Sequence, residues 1–313
     1  MEKSGGRFHL QGSRKLIMTG RAIILGANGR LGAALYRLWS KDYDATIIPL
    51  TRKEMDFSNS SSAVETLARC DLREGDFVVN CAALTDVDYC EEEPTLAMTV
   101  NTTTPSLLAE LCAKEGVRFL HLSTDYVFDG TLDRSYRETD SPAPLSRYGI
   151  SKLQGEEGVL AASSHHVIAR ISWVFGPDRP SFIDQIIQRA LVSKEVAAVH
   201  DKTSSPSFTH DLALWLRVFL TSSIEGGIYH LCNTGVCSWR DYGAHALQTA
   251  ARYGVPVLTT EVAPLTLASM KNFRARRPLK TALDTSKFHC ASGLLLRSWQ
   301  EAVEEYILLR SNF

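Results

Sequence analysis

A chain of 313 residues with 44% hydrophobic and 22% charged residues can bury a large core and is not a disordered segment. Its formal net charge of −1 sets up no field for nucleic acid or an anionic membrane surface, so the expected partners are small molecules or another protein. Seven cysteines, an odd count with no C-x-x-C spacing, point away from a disulfide framework or a zinc site and towards reduced thiols in a cytoplasmic protein.

Residues 1–19 contain basic residues but no apolar core of signal-peptide length, and no run in the chain approaches a membrane span. They read as a disordered extension, with 1–17 open to being an artefact of start-codon choice. "RAIILG" (21–26) is a buried strand, followed by a glycine turn and a helical stripe of Leu31, Leu35 and Leu38. "ATIIPL" (45–50) is a second strand, 58–70 a helix, "DFVVNCAA" (76–83) a third strand and 94–115 one long helix. "VRFLHLS" (117–123) is a fourth strand, 124–145 a Pro- and Asp-rich loop, a helix begins near Ser146, and "HVIARIS" (166–172) is a further strand. Such alternation predicts an α/β fold, a doubly wound parallel sheet of Rossmann type whose ligands sit at the carboxyl ends of the strands. The dinucleotide-binding domain is read over 20–175. Beyond it, helices at 180–193, 209–221, 239–253 and 297–310 predict a smaller C-terminal substrate-binding lobe over 176–313, interleaved with the last part of the sheet.

The turn "GANGRLG" places Gly26, Gly29 and Gly32 in a G-x-x-G-x-x-G spacing directly between a strand and a helix. Glycines there permit a tight turn and close approach of a pyrophosphate, which the helix N-terminus favours. Asn28, Arg30 and Leu31 join them as cofactor-binding candidates. After the second strand, Arg52 stands where an acidic residue would take a ribose 2′-hydroxyl. A guanidinium suits a 2′-phosphate, so NADPH is expected, with NADH open. Asp56 and Phe57 are read either as adenine contacts or as a helix N-terminal acid and a core aromatic.

"SRYGISK" (146–152) sets Tyr148 and Lys152 one helical turn apart on one face. A phenol titrates near pH ~10, and a neighbouring ammonium lowers that value, so the pair can deliver a proton to a carbonyl oxygen. The same spacing also arises by chance on exposed helices. Gly149 within the helix costs about 1 kcal/mol relative to alanine, which close approach of another group would explain. Ser123 and Thr124 fall at the carboxyl end of the fourth strand, where a hydroxyl can hold a substrate oxygen.

From about residue 20 onward these residues resemble the extended short-chain dehydrogenase/reductase family, through "GANGRLG", "VVNCAALTDVDYCEEEP", "VNTTTPSLLAELC" and "LSTDYVFDG". "YRETDSPAPLSRYGISKLQGEE", "ISWVFG" and "RARRP" look like its dTDP-4-dehydrorhamnose reductase branch. The resemblance implies a catalytic set of Thr124, Tyr148 and Lys152, with Tyr148 and Lys152 also at the cofactor. It implies Cys81, Ala82 and Ala83 beside the cofactor, and Thr85, Asp125, Tyr126, Trp173 and Arg277 at the substrate, with Arg274 or Arg276 as alternatives to Arg277. Asn101 is implied in a supporting role. The implied reaction is NADPH-dependent reduction of the 4-keto group of a dTDP-linked 6-deoxysugar, in nucleotide-sugar supply for polysaccharide. The implied state is a cytoplasmic enzyme, with a homodimer the guess. Two departures, Ser181 before Phe182 and Ser204 and Ser207 in "DKTSSPSFTHDLA", bear on which sugar nucleotide is used. No metal ligands are read from the sequence, and magnesium is left open; Glu195 fits a solvated helix end, and His165 and His166 the start of a strand. Two rivals remain: a sugar-nucleotide epimerase or dehydratase, the latter disfavoured by Tyr126 where a Glu would follow Thr-Asp, and a non-catalytic regulatory subunit like that of methionine adenosyltransferase.

Overall fold

The apolar runs at the head of the chain become strands because β-branched residues alternate between two buried faces. A computed structural model describes residues 20–42, 46–221 and 224–310; the segment read as an extension, 1–19, lies outside them. Six parallel strands form the sheet: β1 (Ala22–Leu25), β2 (Ile47–Leu50), β3 (Phe77–Asn80), β4 (Arg118–Thr124), β5 (Val167–Ile171) and β6 (Gly227–His230). Their order is β6-β5-β4-β3-β1-β2. The chain changes direction across the sheet between β1 and β3, which opens a crevice at their carboxyl ends.

The helices are α1 (Arg30–Asp42), α2 (Ser60–Ala68), α3 (Val87–Glu92), α4 (Pro94–Met98), α5 (Thr104–Lys114), α6 (Arg147–Ala162), α7 (Phe182–Val192), α8 (Thr209–Thr221), α9 (Trp239–Arg252), α10 (Ser286–Ser292) and α11 (Trp299–Leu309). Ile24, Val79 and Leu120 face Trp39 of α1 and Leu212 and Trp215 of α8. Ile23, Val78 and Phe119 face Leu67 of α2, Leu108 of α5 and Val159 of α6. A separate core in the second half joins Ile183, Leu247 and Tyr306 from α7, α9 and α11. Among the described residues no helix is long and apolar enough to cross a membrane.

Several elements differ from expectation, among them helix α10 and short strands in the second half that the sequence reading did not name. The single helix read over 94–115 is α4, a π-helical turn at Thr99–Thr103, and α5. Pro105, which has no N–H to donate, enters at the start of α5, and the widened turn absorbs it. The short α3, capped by the Asp86 carboxylate, was not foreseen. Nor was β6, whose four residues "GIYH" are too few to show a period. Through β6, the second half of the chain completes the sheet.

Helix α6 is held on two sides. Ser146 caps it, its Oγ accepting from Gly149 N–H at 3.2 Å. A Cβ on Gly149 would lie 2.3 Å from the Tyr126 carbonyl oxygen, so the helix glycine marks a backbone contact that no larger residue permits. Gly155 does the same against the carbonyl of Asn101, at 2.1 Å. Further along, Arg170 of β5 donates to Glu156 at 2.6 and 2.9 Å inside the protein. Gly149→Ala should therefore lower the unfolding free energy by roughly 1–3 kcal/mol through overpacking. Urea titration followed by circular dichroism checks this, and an unchanged midpoint would contradict the close contact.

Candidate active site

The glycine turn makes a cradle. Gly26 has φ +72, and a Cβ there would lie 2.8 Å from the Ala82 amide nitrogen. A Cβ on Gly32 would lie 2.3 Å from the Gly26 carbonyl, so α1 can approach β1 only with glycine here. Against this turn lies a cavity of about 200 Å³ lined by Gly26, Asn28, Gly29 and, from the other wall, Cys81, Ala82 and Ala83. Its far end is Arg52, Asp56 and Phe57. Arg52 is exposed and makes no ion pair among the described residues. Phe57 is buried, and Asp56 accepts from the Ser58 N–H and O–H at 2.9 and 2.8 Å, which lowers its pKa. Leu31 is a core side chain, leaving its backbone alone to face the turn. The Arg30 side chain leaves the cradle and donates to the carbonyls of Val174 and Pro180 at 3.2 and 2.5 Å. The residues present fit a dinucleotide: Gly26 and Gly29 put bare backbone on the wall of a cavity that is also lined by Arg52.

At the end of β4, Thr124, Tyr148 and Lys152 are all buried and adjacent. Thr124 shares a hydrogen bond with the Tyr148 phenol. The expected lowering of the Tyr148 pKa by Lys152 is not found. Burial pushes the phenol well above its ordinary value, and the Thr124 hydrogen bond pulls it back only in part. Lys152 instead donates to the Leu122 carbonyl at 2.6 Å and lies 3.0 Å from Nε2 of His121. Burial brings the ammonium down to about 8, opposed by the charge of Glu156. Burial, with the Lys152 charge, also pushes the His121 pKa well below its ordinary value. Burial raises the Cys81 thiol, with Lys152 opposing. Asn101 ties Leu84 and Ser151 together at 2.9 to 3.0 Å, so its part is to join the β3 loop to α6.

Beyond the phenol, Tyr126 packs edge-on against Tyr148 with centroids 5.7 Å apart. Asp125 is buried; one carboxylate oxygen accepts from Thr124 at 3.2 Å, the other from Ser204 at 3.1 Å and Thr281 at 2.5 Å. Ser204, one of the departures, is thus a buried member of this network. Ser207 accepts from the Ser172 N–H at 3.3 Å, and the Ser181 N–H and O–H donate to Asp184 at 2.6 and 2.8 Å at the start of α7. Arg277 pairs with Asp88 at 2.7 and 3.1 Å and stacks 3.7 Å from the centre of Phe273. This guanidinium holds the Asp88 carboxyl down at about 2. Arg274 pairs with Glu92. Thr85 is exposed in the loop before α3 and lines neither cavity.

Trp173, with φ +41, opens a second cavity of about 440 Å³ lined also by Phe182, Trp239, Tyr242 and Phe273. The Trp173 indole N–H and the Tyr242 hydroxyl are buried with no hydrogen-bond partner. The sequence reading missed Tyr242, His121 and Lys202. Lys202 is fully buried, donates to the Pro278 carbonyl at 2.6 Å and sits 4.8 Å from the Tyr126 ring centre. A lone lysine or tyrosine at such a position carries no spacing signal; only the fold brings it to the site.

The family model described as the RmlD substrate binding domain matches residues 20–310. The spore coat polysaccharide biosynthesis protein SpsK of Bacillus subtilis is 33% identical over 93% of this chain and 98% of its own. The dTDP-4-dehydrorhamnose reductase of Escherichia coli is 33% identical over 80% of this chain and 84% of its own. A crystal structure of dTDP-4-dehydrorhamnose reductase from Bacillus anthracis in complex with NADP is 29% identical, with a TM-score of 0.83 over 93% of this chain and 99% of that one. The chain belongs to the dTDP-4-dehydrorhamnose reductase family.

The Lys152 environment has a measurable consequence. Its pKa falls from 10.5 towards about 8 on folding, so the unfolded chain binds more protons between those values. The burial penalty is full below pH 8 and is relieved as pH rises towards 10.5. Wild-type stability minus that of Lys152→Met should therefore rise with pH across this window in urea titrations. A flat difference would show that the ammonium is not desolvated.

Proposed function

We propose that this member of the dTDP-4-dehydrorhamnose reductase family uses NADPH to reduce the 4-keto group of a dTDP-linked 6-deoxysugar, converting dTDP-4-dehydro-L-rhamnose to dTDP-L-rhamnose. The observation that carries the reading is the meeting of Thr124, Tyr148 and Lys152 at the carboxyl end of β4, beside the cradle formed at Gly26 and Gly32. When bound, the nicotinamide supplies the hydride. Everything else falls to the chain's own side chains.

Tyr148 gives its phenolic proton to the keto oxygen, and Thr124, already hydrogen-bonded to that phenol, fixes the oxygen beside it. A phenol kept protonated by burial is the correct form for an acid. Lys152, one helical turn on, holds the cofactor ribose. Arg52 faces the 2′-phosphate, which favours NADPH over NADH. On the substrate side, the aromatic cavity at Trp173 and Tyr242 suits a flat base, and Arg277 stands near Tyr126 for the phosphates or sugar. The ring of Tyr126 fills the place where dehydration would need a carboxylate. The reading carries with it a cytoplasmic homodimer, with no nucleic-acid or membrane partner, feeding polysaccharide synthesis.

NADPH oxidation at 340 nm with dTDP-4-dehydro-L-rhamnose tests this. Tyr148→Phe should lower turnover by about 10²–10⁴-fold, the usual contribution of a general acid, with NADPH affinity by calorimetry unchanged. Full turnover in the variant would remove Tyr148 as the proton donor.

A further inference from the structure

The loop Gly176–Pro180, between the end of β5 and α7, is drawn onto the cofactor turn by arginines from both sides. Arg30, the first residue of α1, donates to the carbonyls of Val174, Arg179 and Pro180 at 3.2, 3.4 and 2.5 Å. Arg37, two turns on, forms a bidentate pair with Asp178 at 2.9 Å for both bonds. In the other direction, Arg179 reaches back and donates from Nε to the Asn28 carbonyl at 2.7 Å. A side chain from beyond β5 thus rests on the glycine turn.

The charges there do not balance. Arg30 gives its hydrogen bonds to carbonyls, and burial lowers its pKa, opposed first by the charge of Asp184 and helped least by that of Arg179. The first turn of α1 carries no acidic side chain, so its positive end is not offset locally. The carboxylate on the same loop, Asp178, is taken by Arg37. Arg179 itself is exposed and, among the described residues, forms no ion pair; its Nε is engaged and its two Nη groups are not. Arg179 rests on the carbonyl of Asn28, which with Gly26 and Gly29 lines the cofactor cavity beside the N-terminus of α1, and an anion there would meet its free donors.

We infer that Arg179 binds the pyrophosphate of the dinucleotide cofactor, held in place by its bond to Asn28 and by the Arg30 clamp on its loop. The inference rests on the dinucleotide part of the proposed function and not on the identity of the sugar. Arg52 lies at the far end of the cavity, beyond β2, so the two arginines address different phosphates of one ligand. Arg179 is the residue with free donors, and Arg30 is a positioning residue.

Calorimetric titration of the full chain with NADPH and with adenosine 2′-phosphate, which lacks a pyrophosphate, separates the possibilities. Arg179→Met should weaken NADPH about tenfold and leave adenosine 2′-phosphate unchanged, in line with losing one charge-assisted contact. Arg179→Lys should recover part of the loss. Unchanged NADPH affinity in Arg179→Met would overturn the inference. So would an equal loss for both nucleotides, which would place the effect on the turn as a whole. A wild-type chain that binds neither nucleotide would sink the dinucleotide reading and this inference with it. Binding of NADPH without turnover of any keto sugar would leave the Arg179 comparison fully decisive.

Discussion

The carboxylate of Glu156 and the guanidinium of Arg170 meet inside the protein, both almost fully buried, and α6 is seated on the sheet by that meeting. Neither charge could stay there alone, because an unpaired buried ion costs several kcal/mol, and about 3–5 kcal/mol is lost when one partner of such a pair is removed. Ser123 adds a hydrogen bond to the same carboxylate. Glu156 stands two turns beyond Tyr148 and one beyond Lys152, on the same stripe of the helix. Anchoring the last of the three sets the rotation of the helix, and so aims the phenol and the ammonium at the end of β4. Gly149 and Gly155 let the helix come close enough for this to matter, each against a backbone carbonyl.

The same depth sets the electrostatics. With the phenol and the ammonium both out of water, burial raises the phenol's pKa and lowers the ammonium's, so the two move apart and the phenol keeps its proton. Around them, Asp125 is tied by Thr124, Ser204 and Thr281, so the floor of the site is a fixed network of hydroxyls. Lys202 sits over the Tyr126 ring within that floor. These groups are satisfied by one another, which keeps the site rigid before any ligand arrives.

Much of this was legible in the sequence because it is written locally. Alternating apolar runs separated by helical stripes gave the doubly wound sheet, and the glycine spacing sits at its crevice because a Cβ at Gly26 or Gly32 cannot fit. Gly149 was readable as a helix glycine that something must approach, and that something is the Tyr126 carbonyl. Long-range choices were not legible. The π turn at Asn101 depends on Leu84 and Ser151, which are 17 and 50 residues away. Arg277 reads as a free cation in "RARRP", yet its partner Asp88 lies 189 residues earlier. The Tyr148–Lys152 spacing was informative about geometry and misleading about charge, since burial and not the ammonium dominates the phenol.

The central claim is that hydride reaches the keto carbon of a sugar nucleotide beside Tyr148. It is tested most directly by incubating the protein with dTDP-4-dehydro-L-rhamnose and NADPH carrying deuterium at nicotinamide C4, then reading the product by NMR. Deuterium at C4 of the sugar in dTDP-L-rhamnose is the expected result. A product without deuterium at that carbon, or unchanged sugar in the presence of bound cofactor, would contradict it.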